Sequence, residues 1–208
     1  GTTSLSGIFS ATVGSGGAGG SIRLAAPEIT VADGAIVASS TIGGGVGGTG
    51  ALSGDRIRIV NGGFVDTTSA DLTRGPFASP GRDAGHVTIQ AEQWIEIGGS
   101  NRFGDSGLVA SRSVTVDGVP GETHLGDAGD VTLTAPSIRL FDGGSVTTNA
   151  DQANGGEITL HAQKLVHLDA GVITSSVNGE TGGNITIDPV FVILENGSGI
   201  SAEAGTGQ

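Results

Sequence analysis

Several residue types are absent or scarce in this chain of 208 residues. It contains no cysteine and no tyrosine, one tryptophan, and nine lysine and arginine residues together. The lack of cysteine excludes disulfides and suits a chain that is exported unfolded. The few aromatic rings and the net charge of −12 disfavour binding to nucleic acid, whose phosphates would be repelled. We therefore expect no nucleic-acid partner.

Long apolar runs are also missing, and no signal peptide is recognisable. We predict no membrane span. The length suffices for one extended domain, so we assign residues 1–208 to a single unit. The 40 glycines do not indicate disorder, because they recur at regular positions between short apolar segments.

The repeated pattern is clearest in residues 129–155. Val131 and Leu133 alternate with polar residues, Ile138 and Leu140 do so after an Ala-Pro step, and Val146 follows an Asp-Gly-Gly turn. Alternation with period two is typical of strands with one buried face. Three short strands cannot bury that face alone, so the unit requires copies of itself.

Copies of this unit occur through most of the chain. A shift of 27 residues places Leu165 on Ile138 and Asp169 on Asp142. The apolar segments of the other copies begin at Ile22, Leu52, Val87, Ile158 and Ile185. A fixed period of this size indicates stacked units that each contact their neighbours.

We predict an all-β fold, a single right-handed parallel β-helix (a solenoid) with three strands per coil. About six to seven coils of about 27 residues would stack so that each strand pairs with its equivalent, about 4.8 Å away, in the next coil. Equivalent aliphatic side chains then lie above one another inside the tube, and burying each contributes about 1.5–3 kcal/mol. The handedness follows the general rule for parallel crossovers.

Glycine follows Asp or Asn at one corner of the predicted coils, as in Asn61-Gly62 and Asp142-Gly143. Such pairs indicate turns with positive φ, which glycine adopts freely and Asn or Asp tolerate. The predicted corner column consists of Asp33, Asn61, Asp142, Asp169 and Asn196. A calcium ladder is an alternative for this column, but turn formation explains it, and we assign no metal and no cofactor.

Two insertions interrupt the repeats, near residues 70–83 and 111–127. Solenoid insertions fall at corners, where they cover an apolar strip or bind a ligand, and we favour the covering role. The strip consists of Val60, Phe141 and Leu168, and the candidate covering residues are Phe77, Phe103 and Trp94.

The first insertion supplies the candidate binding residues Asp71, Arg74, Arg82 and Asp83. With Asp66 and His86, they come nearest to the converging charged groups of a polysaccharide lyase or hydrolase. These charges follow no regular spacing in a Gly- and Pro-rich loop, so solvated surface charge is the simpler explanation. We assign no catalytic residue.

His167 stands where the 27-residue register places inward aliphatic residues. We predict that a bulge shifts this strand, so that Val166 and Leu168 turn inward instead.

Three segments carry a family resemblance: Gly-Asn-Ile-Thr-Ile-Asp at 183–188, Phe-Val-Ile-Leu-Glu-Asn-Gly-Ser at 191–198, and Gly-Asp-Val-Thr-Leu-Thr-Ala-Pro at 129–136. They resemble repeats of filamentous-haemagglutinin-like exoproteins, the secreted partners of bacterial two-partner secretion systems. The resemblance implies a right-handed β-helix, export through an outer-membrane barrel, and display on or release from the cell surface. The Asn-Pro-Asn motifs of the family's secretion domain do not occur, so it implies a passenger segment of a longer rod.

We therefore expect a structural or adhesive segment of a secreted or surface-displayed bacterial exoprotein. Its expected partners are the outer-membrane transporter of its parent protein and a host or neighbouring-cell surface or glycan. Two alternatives stay open, namely a β-helical polysaccharide-active enzyme and a cation-dependent surface or matrix protein.

Overall fold

The computed structural model describes residues 6–14, 17–71, 82–115, 126–151, 153–178 and 181–205. Within these residues the chain is all-β, as predicted, and has no helix that could cross a membrane. The strands are β1 (Gly7–Val13), β2 (Ser21–Ala25), β3 (Glu28–Ala32), β4 (Ile36–Ile42), β5 (Thr49–Val60), β6 (Phe64–Asp71), β7 (Val87–Gly98), β8 (Leu108–Thr115), β9 (Val131–Phe141), β10 (Ser145–Asp151), β11 (Ile158–Asp169), β12 (Val172–Asn178), β13 (Ile185–Ile187), β14 (Phe191–Glu195) and β15 (Gly199–Gly205).

These strands form two parallel sheets. Sheet I has the order β1-β4-β6-β8-β10-β12-β15, and sheet II has the order β2-β5-β7-β9-β11-β13, with β3 also on β5 and β14 also on β11. Two of the three predicted segments are joined in one strand of 11 or 12 residues in β5, β7, β9 and β11. The chain thus alternates between the sheets and advances by one position in each.

The register between strands is that of the sequence repeat. Val131 lies opposite Ile158, which lies opposite Ile185, and all three are partners in parallel pairs. Val131, Leu133 and Ile158 are fully buried, and the same columns extend through Ile89 and Leu52. The prediction that equivalent aliphatic residues stack inside the molecule is confirmed.

The 27-residue register is wrong after Ala162, where β11 contains a bulge. Val166 pairs with Ile138 and Leu168 with Leu140, both are fully buried, and His167 points outward. The predicted slip at His167 is therefore confirmed. Leu165, which the simple shift had placed on Ile138, lies opposite Ser137 instead.

The bulge also changes the corner column. Asp33, Asn61, Asp142 and Asn196 have φ between 44° and 55°, and each is followed by a glycine with positive φ, as predicted. In β11's repeat, however, Ala170 occupies this position, and Asp169 is the last strand residue, paired with Phe141. Asp169 is thus not a member of the column.

A second corner, leading into sheet II, is built by glycine for a different reason. A Cβ on Gly129 would lie 2.0 Å from the carbonyl oxygen of Gly85, so successive backbones approach too closely for any side chain. Buried hydroxyl groups of sheet I stabilise this corner from inside. Thr67 and Ser111 each donate a hydrogen bond of 2.7 Å to the Gly85 carbonyl, and Thr148 and Ser175 donate to that of Gly156.

Both insertions begin later in the chain than predicted. Ala70 and Asp71 belong to β6, and residues 111–115 belong to β8, because both strands pair in register with their neighbours. Residues 72–81 and 116–125 lie outside the described residues. The sequence interpretation missed a third loop, residues 99–107, which Asn101 closes by accepting hydrogen bonds from the amides of Phe103 and Asp105.

The predicted apolar strip does not exist as proposed. Leu168 is fully buried in the core, and the true outward column runs from Val60 through Gly98 and Phe141 to Asp169. The Phe141 ring lies against Gly98, since a Cβ on that glycine would lie 2.9 Å from the ring. Phe103 is 70% exposed and the guanidinium of Arg102 lies over its ring, and Phe77 lies outside the described residues.

Candidate functional site

The residues proposed from the first insertion are described only in part. Asp71 ends β6, where its backbone pairs with Thr115, and Arg74 is outside the described residues. Arg82 and Asp83 are exposed before β7, and Asp83 accepts a hydrogen bond of 3.0 Å from the amide of Asp127. That contact supports the corner backbone.

Asp66 and His86, which completed this cluster in the sequence interpretation, have separate structural roles. Asp66 is buried on sheet I, where its carboxylate lies 3.3 Å from the guanidinium of Arg112. His86 lies at the entrance to sheet II, and its Nδ1 accepts a hydrogen bond of 3.0 Å from the amide of Asp130. Neither contact indicates a catalytic arrangement.

A different site lies at the bend of sheet II, where the long strands turn. Between matched residues, the bends of β7 (Gln90 to Trp94) and β11 (His161 to Leu165) enclose three residues, whereas that of β9 (Thr134 to Ser137) encloses two. The shorter bend of β9 therefore lies recessed between two protruding neighbours. We call this recess the bend notch.

The bend notch has a volume of about 490 Å³, within the range of about 300–1,000 Å³ that is usual for small-molecule sites. Pro136 lines it, together with Ala91, Ala135 and Ala162, which belong to the buried core and are at most 3% exposed. Its polar lining consists of Gln90, Glu92, Thr134, His161, Gln163 and Asp188. Its accessible side chains are therefore mainly hydrogen-bonding groups, with Pro136 as the apolar one.

His161 and Asp188 are fixed to each other at one end of the notch. The Nδ1 atom of His161 lies 2.9 Å from Asp188 Oδ2, and the amide of Ala162 donates to Asp188 Oδ1 at 3.3 Å. The hydrogen bond from His161 lowers the pKa of Asp188 below its ordinary value of 3.8, against the opposing effect of burial. Asp188 is therefore ionised at neutral pH.

The two carboxyl groups of the notch come from different parts of the chain. Glu92 lies on β7, whereas Asp188 follows β13 and its carboxylate contacts His161 and Ala162 of β11. The lowered pKa of Asp188 opposes a role for this carboxyl as a general acid.

The sequence contains a signal for this notch that the repeat analysis did not use. The inward alanine before each bend is followed by the next inward aliphatic residue at different distances: Ala91 to Ile95, Ala135 to Ile138, and Ala162 to Val166. The middle interval is one residue shorter than the other two. Only the parallel pairing shows that these three bends are neighbours.

No metal site is evident within the described ranges, since they contain no group of three or more His, Asp or Glu side chains placed to hold an ion. Comparisons with protein-family models, with curated proteins and with solved structures found no match to this chain.

Proposed function

We propose that this chain is a rigid structural and adhesive segment of a secreted or surface-displayed bacterial exoprotein. Its described strands would form a right-handed parallel β-helix with three strands per coil and about six to seven coils. The parent protein would reach the surface through an outer-membrane transporter, as the resemblance to filamentous-haemagglutinin-like repeats implies. A host or neighbouring-cell surface would be its target.

The observation that carries this proposal is the parallel pairing of equivalent strands in both sheets. One fully buried column runs from Leu52 to Leu160, and another runs from Ile59 to Leu168. In such a construction each repeat contacts only its neighbours, and further repeats can extend the stack. Such a construction suits a shaft that holds a binding surface away from the cell.

Charged side chains on the outside reinforce the same register. Arg58, Glu96, Arg139 and His167 occupy one outward column on four successive strands, with Arg58 and Glu96 3.2 Å apart. Exposed pairs of this kind contribute only about 0–1 kcal/mol each. Arg58, Glu96 and Arg139 alternate in sign, so adjacent charges on β5, β7 and β9 attract each other in the observed pairing.

The experiment that tests this proposal is localisation of the native protein in the organism that encodes it. Antibodies raised against the 208-residue chain should label intact cells or detect the protein in the medium, and external protease should remove the surface signal. Beads coated with the purified chain should adhere to target cells more than beads coated with albumin. Detection only in the cytosol would refute the proposal.

The two alternatives predict other outcomes. Turnover of a polysaccharide, abolished by joint alanine replacement of Asp71, Arg74, Arg82 and Asp83, would establish the enzyme instead. A rise in melting temperature with calcium, beyond that in sodium chloride of equal ionic strength, would favour the cation-dependent protein.

A further inference from the structure

We propose that the bend notch binds a glycan that is neutral or contains amino sugars, and that it excludes acidic glycans. This inference depends on the proposed adhesive function, to which it adds a ligand class and a site. Three features carry it: the shape of the notch, the chemistry of its lining, and the sign of its charge.

The shape of the notch suits a short segment of a polymer. The longer bends of β7 and β11 flank the shorter bend of β9, so a ligand can lie along the bend of β9 between them. The recess arises because the bend of β9 is one residue shorter than those of β7 and β11, so it does not depend on side-chain rotamers. It is therefore present before the ligand arrives, which lowers the ordering cost of binding.

The lining suits a ligand with many hydroxyl groups. Pro136 offers the apolar contact, since Ala91, Ala135 and Ala162 are at most 3% exposed. Around it stand the amides of Gln90 and Gln163 and the hydroxyl of Thr134, which both donate and accept hydrogen bonds as sugar hydroxyls do. Because Asp188 orients His161 through Nδ1, the Nε2 atom of that ring is available for a ligand.

Other macromolecules fit the notch less well. Peptides are usually recognised by strand addition or by apolar pockets for side chains, and the strands lining the bend of β9 already pair on both sides. A lipid surface would need a larger apolar area than one proline provides.

The charge determines which glycans are accepted. Glu92 and the ionised Asp188 line the notch, and the chain as a whole carries a net charge of −12. Uronic acids and sulfated sugars would be repelled. A neutral sugar meets no such penalty, and a protonated amino sugar gains attraction.

The test is titration of the whole chain with four probes: chitotriose, the chitosan trimer, trigalacturonate and tetralysine. The key variant inserts one glycine between Pro136 and Ser137, which lengthens the bend of β9 to match its neighbours and fills the recess. Because β7 and β11 already accept the longer bend, the variant should fold, as circular dichroism and melting would show.

A matched pair of substitutions separates binding from stability. Asp188→Asn changes a carboxylate of the notch, whereas Glu195→Gln changes one outside it that also contacts a histidine of β11, at 2.8 Å from His167. Both carboxylates are about half exposed. A structural effect would lower the melting temperature in both variants, but only Asp188→Asn should weaken glycan binding, by about tenfold for a lost hydrogen bond to a charged group.

The expected result is millimolar or tighter binding of chitotriose or the chitosan trimer that the insertion abolishes and Glu195→Gln leaves within about twofold. Absence of binding by both sugars, preference for trigalacturonate, or binding of tetralysine alone would each overturn the inference. Failure here with surface labelling intact would leave the proposed shaft function standing, whereas cytosolic localisation would remove that function whatever the notch binds.

Discussion

At the residue scale, the least expected feature is a set of fully buried hydroxyl groups inside sheet I. Thr67, Ser111, Thr148 and Ser175 lie in one inward column, where an aliphatic residue would be the usual choice. Their hydroxyls donate to glycine carbonyls of the second corner, so no buried donor is left without a partner there. The column thereby attaches sheet I to sheet II.

The shared acceptor leads to a testable coupling between Thr67 and Ser111. Ser111→Ala should destabilise the chain by about 0.5–1.5 kcal/mol, because the Gly85 carbonyl keeps its bond from Thr67. Combining it with Thr67→Val leaves that carbonyl without either hydroxyl donor, so the double variant should lose at least about 0.5 kcal/mol more than the sum. Urea unfolding of the four proteins measures this, and additive losses would show that the two bonds are independent.

Asp169 provides a prediction about acid stability. The hydrogen bond from Asn196, together with Arg139, lowers its pKa below 3.8 in the folded chain. Since the folded pKa is the lower one, its stabilising contribution is complete above 3.8 and is lost as pH falls through the folded value. Asp169→Asn should therefore lower the urea midpoint at about pH 6 but have a smaller effect at about pH 2.5. An equal loss at both values would contradict the assignment.

At the scale of the elements, the corners decide how closely the repeats approach. The first corner uses positive φ at Asx-Gly pairs, and the second uses glycine because backbone lies directly against backbone. The bends of sheet II tolerate one residue more or less, and this tolerance produces the bend notch. Each corner type thus has its own physical constraint.

Substitution at the second corner tests the close approach. Gly129→Ala should cost about 1–3 kcal/mol or more, because the new Cβ would meet the Gly85 carbonyl and rigid backbone must move. Gly199→Ala is the control, since a Cβ there meets nothing within 4 Å and its φ is not positive. Thermal and urea unfolding compare the two, and equal stability would show that the corner can relax.

At the scale of the whole molecule, the repeats are interchangeable units that contact only their neighbours. β7, β9 and β11 pair in one register, so removal of a complete unit leaves the strands on either side able to pair. Stability should then fall in steps as repeats are removed, without loss of the fold.

Deletion of residues 131–157, one complete repeat, tests this. The deletion joins Asp130 to Ile158, which replaces its register partner Val131, so the variant should stay folded with a smaller dependence of free energy on urea. Deletion of residues 131–143 alone removes sheet II pairing but leaves β10 in place, and this variant should unfold or aggregate. Equal behaviour of the two deletions would refute the modular description.

The sequence by itself determined the all-β class, the stacked columns and the positive-φ corner, because these follow from alternation, period and Asx-Gly pairs that are local in the chain. It even predicted the slip at His167, since a histidine between two aliphatic residues is a local conflict. Only the tertiary structure decided that Leu168 is buried and that Ala170 replaces Asp169 at the corner. It also brought Gln90, Thr134, His161 and Asp188 into one notch. These features depend on one-residue differences between bends far apart in the chain, which become neighbours only when the strands pair.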